Sequence, residues 1–311
     1  MKRREFIRTA AGAAGAAASP GNIGAKQAQA ESRRPAPLQF IPCINQATTM
    51  RAEFRASLEA YHRAGFRAVE LWLDSVEPFL KKESVAAARR VMSDLGLEPA
   101  GACCEGDVFF PRLEGRAKKL DSLKRKLDLS RELGARRFVL YSAIFEDVRP
   151  SDYDEALPTL NAVGVLGRER DIVIGIEFIK GAKFLGSLLT TVELVRRAAH
   201  AHLGVQFDTF HFYAGVSKLE DFEKLRPGEI SFVHINDVPA KPREILEDTD
   251  RVYVGDGVMP LERILRALTP VYRGYLSFEV FQYADQEPTD VARKSYDGLS
   301  ALLTRIGNAT Q

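Results

Sequence analysis

From residue 38 onward, short apolar runs alternate with longer stretches in which apolar residues recur every third or fourth position. The short runs predict strands over 39–44, 68–73, 98–103, 137–141, 172–178, 204–207, 230–235 and 275–280. The amphipathic stretches between them predict helices such as 54–64, 116–133 and 190–199. Gly65 and Gly134 follow the first two, where a left-handed residue turns the chain back toward the sheet. Alternation of this kind builds a parallel sheet wrapped by helices, and eight strands close it into a (β/α)8 TIM barrel of α/β class. No Gly-rich turn follows the first strand, which argues against an open nucleotide-binding sheet. The long connection over 237–259 falls on the face where barrels carry substrate loops.

A chain of 311 residues with 45% hydrophobic content suits one such barrel as a single domain over 31–311. The first thirty residues read differently. Lys2, Arg3, Arg4 and Arg8 precede an Ala/Gly run over 9–18, and Ala28-Gln29-Ala30 offers small residues for cleavage. Arg3-Arg4 followed by Phe6-Ile7 resembles a twin-arginine export signal, so residues 1–30 are expected to be a signal peptide and the mature protein periplasmic or extracellular.

The charge balance changes once that leader is set aside. The whole chain has 44 Lys and Arg against 42 Asp and Glu; five basic residues and one acidic residue lie in the leader, which leaves 39 against 41. A nearly neutral body lacks the clustered basic surface that nucleic acid requires. The expected partner is a small molecule, with a homo-oligomer open and no lasting membrane association after export. Cys43, Cys103 and Cys104 are too few for a disulfide framework and lack zinc-ribbon spacing. Each falls in a strand, so they read as small buried side chains, the adjacent pair pointing to opposite faces.

The late strands carry the chemistry. Glu177, Asp208, His234 and Glu279 stand at the ends of four successive strands, and strand C-termini converge at the barrel mouth. A single carboxylate at a strand end is usually a helix cap or an ion-pair partner. Four metal-capable groups in equivalent places point instead to one divalent ion, manganese foremost, with zinc, cobalt or magnesium admitted by the same donors. His211, three residues after Asp208, and Arg251, on the long loop, are candidate substrate contacts; a supporting role for His211 and an ion pair for Arg251 are the alternatives. Asn45 and Glu70 end early strands, either lining the pocket or hydrogen-bonded within it.

Together these residues resemble the xylose isomerase-like barrels, a group of sugar isomerases and epimerases, over nearly all of the chain after the leader. The stretches that carry the likeness are 45–49, Asp208-Thr209-Phe210-His211, His234-Ile235-Asn236-Asp237, Asp250-Arg251-Val252, Gly255-Asp256-Gly257 and Glu279-Val280-Phe281, nearest to the inosose isomerases. The resemblance implies metal ligation by Glu177, Asp208, His234 and Glu279. It also implies isomerisation or epimerisation of a sugar or cyclitol ketone through an enediolate. Glu177 and Glu279 would serve as base and acid. Competing readings are an exported 3-keto-glycoside epimerase, lyase or hydrolase with the same metal site, and a barrel that binds sugar without turnover. The endonuclease IV branch fits poorly, because the early strands end without its additional histidines.

Overall fold

Eight parallel strands follow one another around a closed barrel in a computed structural model that describes residues 40–307. The expected signal peptide over 1–30 lies outside the described residues. The strands are β1 (Phe40–Asn45), β2 (Ala68–Trp72), β3 (Glu98–Gly106), β4 (Arg137–Ser142), β5 (Val173–Phe178), β6 (Leu203–Asp208), β7 (Ile230–Ile235) and β8 (Gly274–Phe278). Phe40 to Ile44 of β1 pair with Gly274 to Phe278 of β8, and this pairing closes the ring. The outer helices are α1 (Phe54–Ala64), α2 (Leu73–Leu80), α3 (Val85–Asp94), α4 (Arg116–Leu133), α5 (Pro150–Arg170), α6 (Leu188–Ala198), α7 (Thr209–Ala214), α8 (Leu261–Leu268) and α9 (Pro288–Arg305). Among the described residues, no helix is long and apolar enough to cross a membrane.

Period-two alternation sorts each strand into an outward and an inward set. Outward residues such as Ile44, Val69, Leu71, Ile174, Ile176 and Val233 join the apolar layer beneath the helices. Cys43, Ala68, Ala100, Val139, Phe232 and Tyr275 form a separate cluster. Small residues from β1 to β3 thus face the large rings of β7 and β8, as filling a barrel without voids requires. The same parity carries upward from Ala68 to Glu70, from Phe232 to His234, and from Tyr275 through Ser277 to Glu279, so polar side chains form the next layer. Gly65 ends α1 at φ 112°, and a Cβ there would come within 2.9 Å of the Tyr296 ring, so neither backbone nor packing admits a larger residue.

The expected strand at 230–235 and the helices at 54–64 and 116–133 have those bounds in the structure. Strand β8 stops at Phe278 rather than continuing to 280, which leaves Glu279 just past its end. Strand β3 departs furthest, running to Gly106 through a register shift against β4 between Ala102 and Glu105. Cys104 sits in this bulge at φ 115°, a conformation that costs a residue with a Cβ about 1–3 kcal/mol. The bulge overturns the expectation that Cys103 and Cys104 point to opposite faces, because both line the same cavity at the mouth. Simple alternation fails where one strand carries an extra residue.

Candidate metal centre

Asp208 ends β6 and begins α7. Its Oδ1 accepts hydrogen bonds from the backbone amides of Phe210 (2.6 Å) and His211 (3.4 Å), an N-terminal cap that leaves Oδ2 facing the barrel axis. The ordinary capping role and a place in the site therefore belong to the two oxygens of one carboxylate. His234 comes from β7, with Nδ1 3.6 Å from Asp208 Oδ2, 3.3 Å from Glu177 Oε1 and 3.2 Å from Glu279 Oε2. Ligand atoms of Glu177, Asp208 and His234 all lie within 4.8 Å of one another. Glu279 stands beside this group, but its oxygens are engaged by Asn45 Nδ2 (2.9 Å) and Arg251 Nη1 (2.7 Å).

Behind His234 stands a residue whose part the sequence left open. Glu70 is fully buried and accepts from His234 Nε2 at 2.9 and 3.1 Å and from Ser277 Oγ at 2.7 Å. A carboxylate on Nε2 holds a proton there and aims Nδ1 at the acids in front. Asn45 likewise spends its amide on Glu279 instead of facing the cavity. No local signal in β2 distinguishes Glu70 from an ordinary strand-end acid; its partner is 164 positions away.

Arg251 reaches the centre from the long loop. Asp237 exchanges backbone hydrogen bonds with Val252, and its carboxylate accepts from the amides of Val238 and Met259 (both 2.9 Å) and Gly255 (3.2 Å). A Cβ at Gly257 would lie 2.4 Å from that carboxylate. This folded turn explains why Asp237 and the Gly255-Asp256-Gly257 stretch occur together, and it drives Arg251 inward to 2% exposure. Its guanidinium pairs with Asp208, Glu279 and Asp248 at 2.7, 2.7 and 2.8 Å. His211 Nε2 lies 3.2 Å from Arg251 Nη2, and its Nδ1 accepts from the Lys180 amide at 3.2 Å. Both candidate substrate contacts line a mouth cavity of about 320 Å³, together with Glu177, His234 and Glu279. The ion-pair alternative for Arg251 is realised with the acids of the site itself.

Burial governs the protonation of these groups. It raises Glu177 to about 7 against the pull of His234. It also opposes ionisation of Asp208, but Arg251 and His234 outweigh it and hold that carboxyl well below its usual range. For His234, burial is overcome by Glu279 and Glu70, which keep the imidazole protonated well above its ordinary value. Burial lowers His211, with Arg251 adding to the effect against Asp208. Four buried carboxylates, Glu70, Glu177, Asp208 and Glu279, face one guanidinium and the His234 imidazolium, an excess of negative charge that a divalent ion would offset. Glu177 Oε1 is buried without a hydrogen bond, the orphaned atom expected of an oxygen reserved for a ligand. By charge and donor type, the site fits a divalent metal ion. A larger surface groove of about 760 Å³ near the starts of α5 and α6 lies apart from the one three-donor cluster found among the described residues.

Comparison with known proteins agrees with the barrel fold. Residues 58–302 match the family described as xylose isomerase-like TIM barrel. The chain belongs to that family. Within it, the chain is 28% identical over 250 residues to the 3-dehydroshikimate dehydratase of Pseudomonas putida; the match covers 79% of this chain and 39% of that protein. It is 23% identical over 252 residues to the inosose isomerase of Bacillus licheniformis, covering 77% of this chain and 88% of that one. The solved structure of the IolI protein with a bound zinc atom superimposes with a TM-score of 0.79 at 20% identity, over 86% of this chain and 99% of its own. That superposition establishes the shared fold. The chain spans about two fifths of the dehydratase and nearly the whole of the isomerase.

Proposed function

We propose that this family member is a divalent-metal-dependent isomerase or epimerase of a sugar or cyclitol ketone. The observation that carries the reading is the convergence of Glu177 Oε1, Asp208 Oδ2 and His234 Nδ1, with Glu279 alongside, at the mouth of the barrel. These four residues would hold the ion, which supplies Lewis-acid polarisation of the substrate's ketone and adjacent hydroxyl. Manganese suits the carboxylate-rich donor set; zinc, reported for IolI, cobalt and magnesium belong in the same test.

Glu177 and Glu279 approach His234 Nδ1 at 3.3 and 3.2 Å and stand as base and acid. Glu177, buried at the mouth beside His234, would take the proton from the carbon beside the ketone. Glu279 returns a proton to the neighbouring carbon in isomerisation or to the opposite face of the same carbon in epimerisation. Arg251 holds the carboxylate of Glu279, and His211 and Arg251, which line the cavity, would contact substrate hydroxyls. A lyase outcome, in which the first proton transfer is followed by loss of an oxygen substituent, is the second reading, favoured by the 28% identity to the dehydratase. Export through the leader belongs to the proposal and is read out by cell fractionation.

The test combines elemental analysis of the purified protein with NMR detection of solvent deuterium entering inososes, ketohexoses and 3-keto-glycosides. One metal per chain and exchange beside the ketone are expected. Glu177→Gln should keep the fold and lower exchange by about 10²–10⁴-fold. Undiminished exchange in that variant removes Glu177 from the role of base, and a folded, metal-loaded protein that exchanges no ketone favours a binding barrel.

A further inference from the structure

The mouth cavity is divided by chemistry. Trp72, Tyr141, Phe281, Val139 and Ile179 form an apolar wall, and the acids Glu177, Glu279, Asp74 and Asp248 also line it. Tyr141 belongs to this wall because Gly106 leaves room for its ring: a Cβ at Gly106 would lie 2.1 Å from it. Among the described residues that line the cavity, Arg251 is the only guanidinium or ammonium, and its charge is shared by Asp208, Glu279 and Asp248. Two lysines with contacts beside the cavity are engaged elsewhere. Lys126 donates to the Cys104 carbonyl and faces Glu105 at 3.5 Å, while Lys180 donates to the carbonyls of Glu244 and Leu246.

A bound divalent ion would not reverse the sign of this site. With Arg251 it contributes three positive charges, against the four lining carboxylates and the buried Asp208 and Glu70. The cavity therefore carries a negative field, focused by its apolar wall. Its acids accept hydrogen bonds and cannot donate them when ionised, so they complement hydroxyl groups and repel a carboxylate.

We infer that the site selects uncharged polyhydroxy ketones and rejects ketones bearing a carboxylate, with Asp74 as a specificity-determining residue. This rests on the proton-transfer reading above and specifies its substrate class. The hydroxyls meet the acids and the metal, and the C–H face of the ring lies on the aromatic wall. Asp74, in the first turn of α2, is exposed at the cavity edge and acts by like-charge exclusion, a form of specificity that operates against the wrong ligand. The identity to a 3-dehydroshikimate dehydratase then reflects the shared barrel without the carboxylate recognition that such a substrate demands.

The experiment titrates the metal-loaded, full-length protein calorimetrically with neutral inososes and ketohexoses and, separately, with 3-dehydroshikimate, and follows deuterium exchange and aromatic product in the same samples. At low ionic strength the best neutral ketone should bind at least about tenfold more tightly than 3-dehydroshikimate. Added salt should narrow the gap by screening the repulsion. Asp74→Asn should narrow it by about threefold, the scale of one charge at the edge of a solvated cavity. Binding of 3-dehydroshikimate as tight as that of the best neutral ketone, or its efficient dehydration, overturns the selectivity and leaves the proton-transfer reading intact. Failure of every ketone to bind or exchange overturns both. An unchanged ratio in Asp74→Asn removes Asp74 from the assignment.

Discussion

The late strands of the barrel and the early ones do different work with the same geometry. Strands β5 to β7 bring Glu177, Asp208 and His234 together as one three-donor cluster at the mouth, and the end of β8 sets Glu279 beside it. Strands β1 to β3 bring Asn45, Glu70 and the Cys103-Cys104 bulge, which hold, orient and wall that point. Under the proposed metal centre these side chains would have to meet around one small ion, so a late-strand residue would tolerate little displacement. Early-strand residues act through another side chain, so their loss should be graded. The difference teaches that strand position in a barrel decides proximity to the chemistry only together with what the opposite strand supplies.

The hardest test of this division is removal of a converging group. His234→Ala should abolish stoichiometric metal binding while circular dichroism remains that of a folded barrel; full metal occupancy in the variant would dissolve the distinction. Glu70→Ala comes next, with metal affinity lowered about 10–100-fold in a chelator competition assay. Glu70→Gln should recover part of the loss, since an amide oxygen still accepts from Nε2. Equal affinity in all three proteins would show that His234 needs no support.

Smaller effects sharpen the role of the early wall. Cys104→Gly relieves the backbone at φ 115° and should stabilise the protein by about 1 kcal/mol in denaturant unfolding. Gly106→Ala should lose about 1–3 kcal/mol, because the added Cβ meets the Tyr141 ring. Stabilisation of both would show that the bulge and the ring relax together.

The weakest effect is expected away from the mouth, where Arg112 in the β3 to α4 connection holds Asp152 in the first turn of α5 at 2.8 and 3.0 Å. The Arg112 contact outweighs burial and, with the Arg149 amide, lowers Asp152 to about 2. A depressed carboxyl stabilises the fold above its unfolded value of about 4, and that contribution fades as pH falls toward 2. Asp152→Asn should therefore lower the melting temperature at pH 6 and converge on the parent near pH 2. A constant difference across that window would show that the ion pair does not govern the acid response.

Much of the barrel was readable before any contact was known. Strand 230–235 and helices 54–64 and 116–133 were legible because hydrophobic period is a local property, and the Gly residues that end those helices mark their bounds. The bulge in β3 was not legible, since nothing in Ala102-Cys103-Cys104-Glu105 announces an extra residue; its register depends on what β4 offers beside it. The four late-strand groups were legible because each ends an apolar run, and a closed barrel brings such ends together.

The sequence by itself determined the alternation of strand and helix, the parity that turns Glu70, Glu177, His234 and Glu279 inward, and the chemical character of the mouth. Tertiary structure decided the pairing. His234 meets Glu70 from 164 positions away, and Asn45 meets Glu279 from 234, because closure sets β8 against β1. Arg251 became a partner of Asp208 and Glu279 only through the turn held by Asp237. Periodicity fixes which way a side chain points, but the energy of a buried charge depends on the charges that surround it, and those are assembled only when the ring closes.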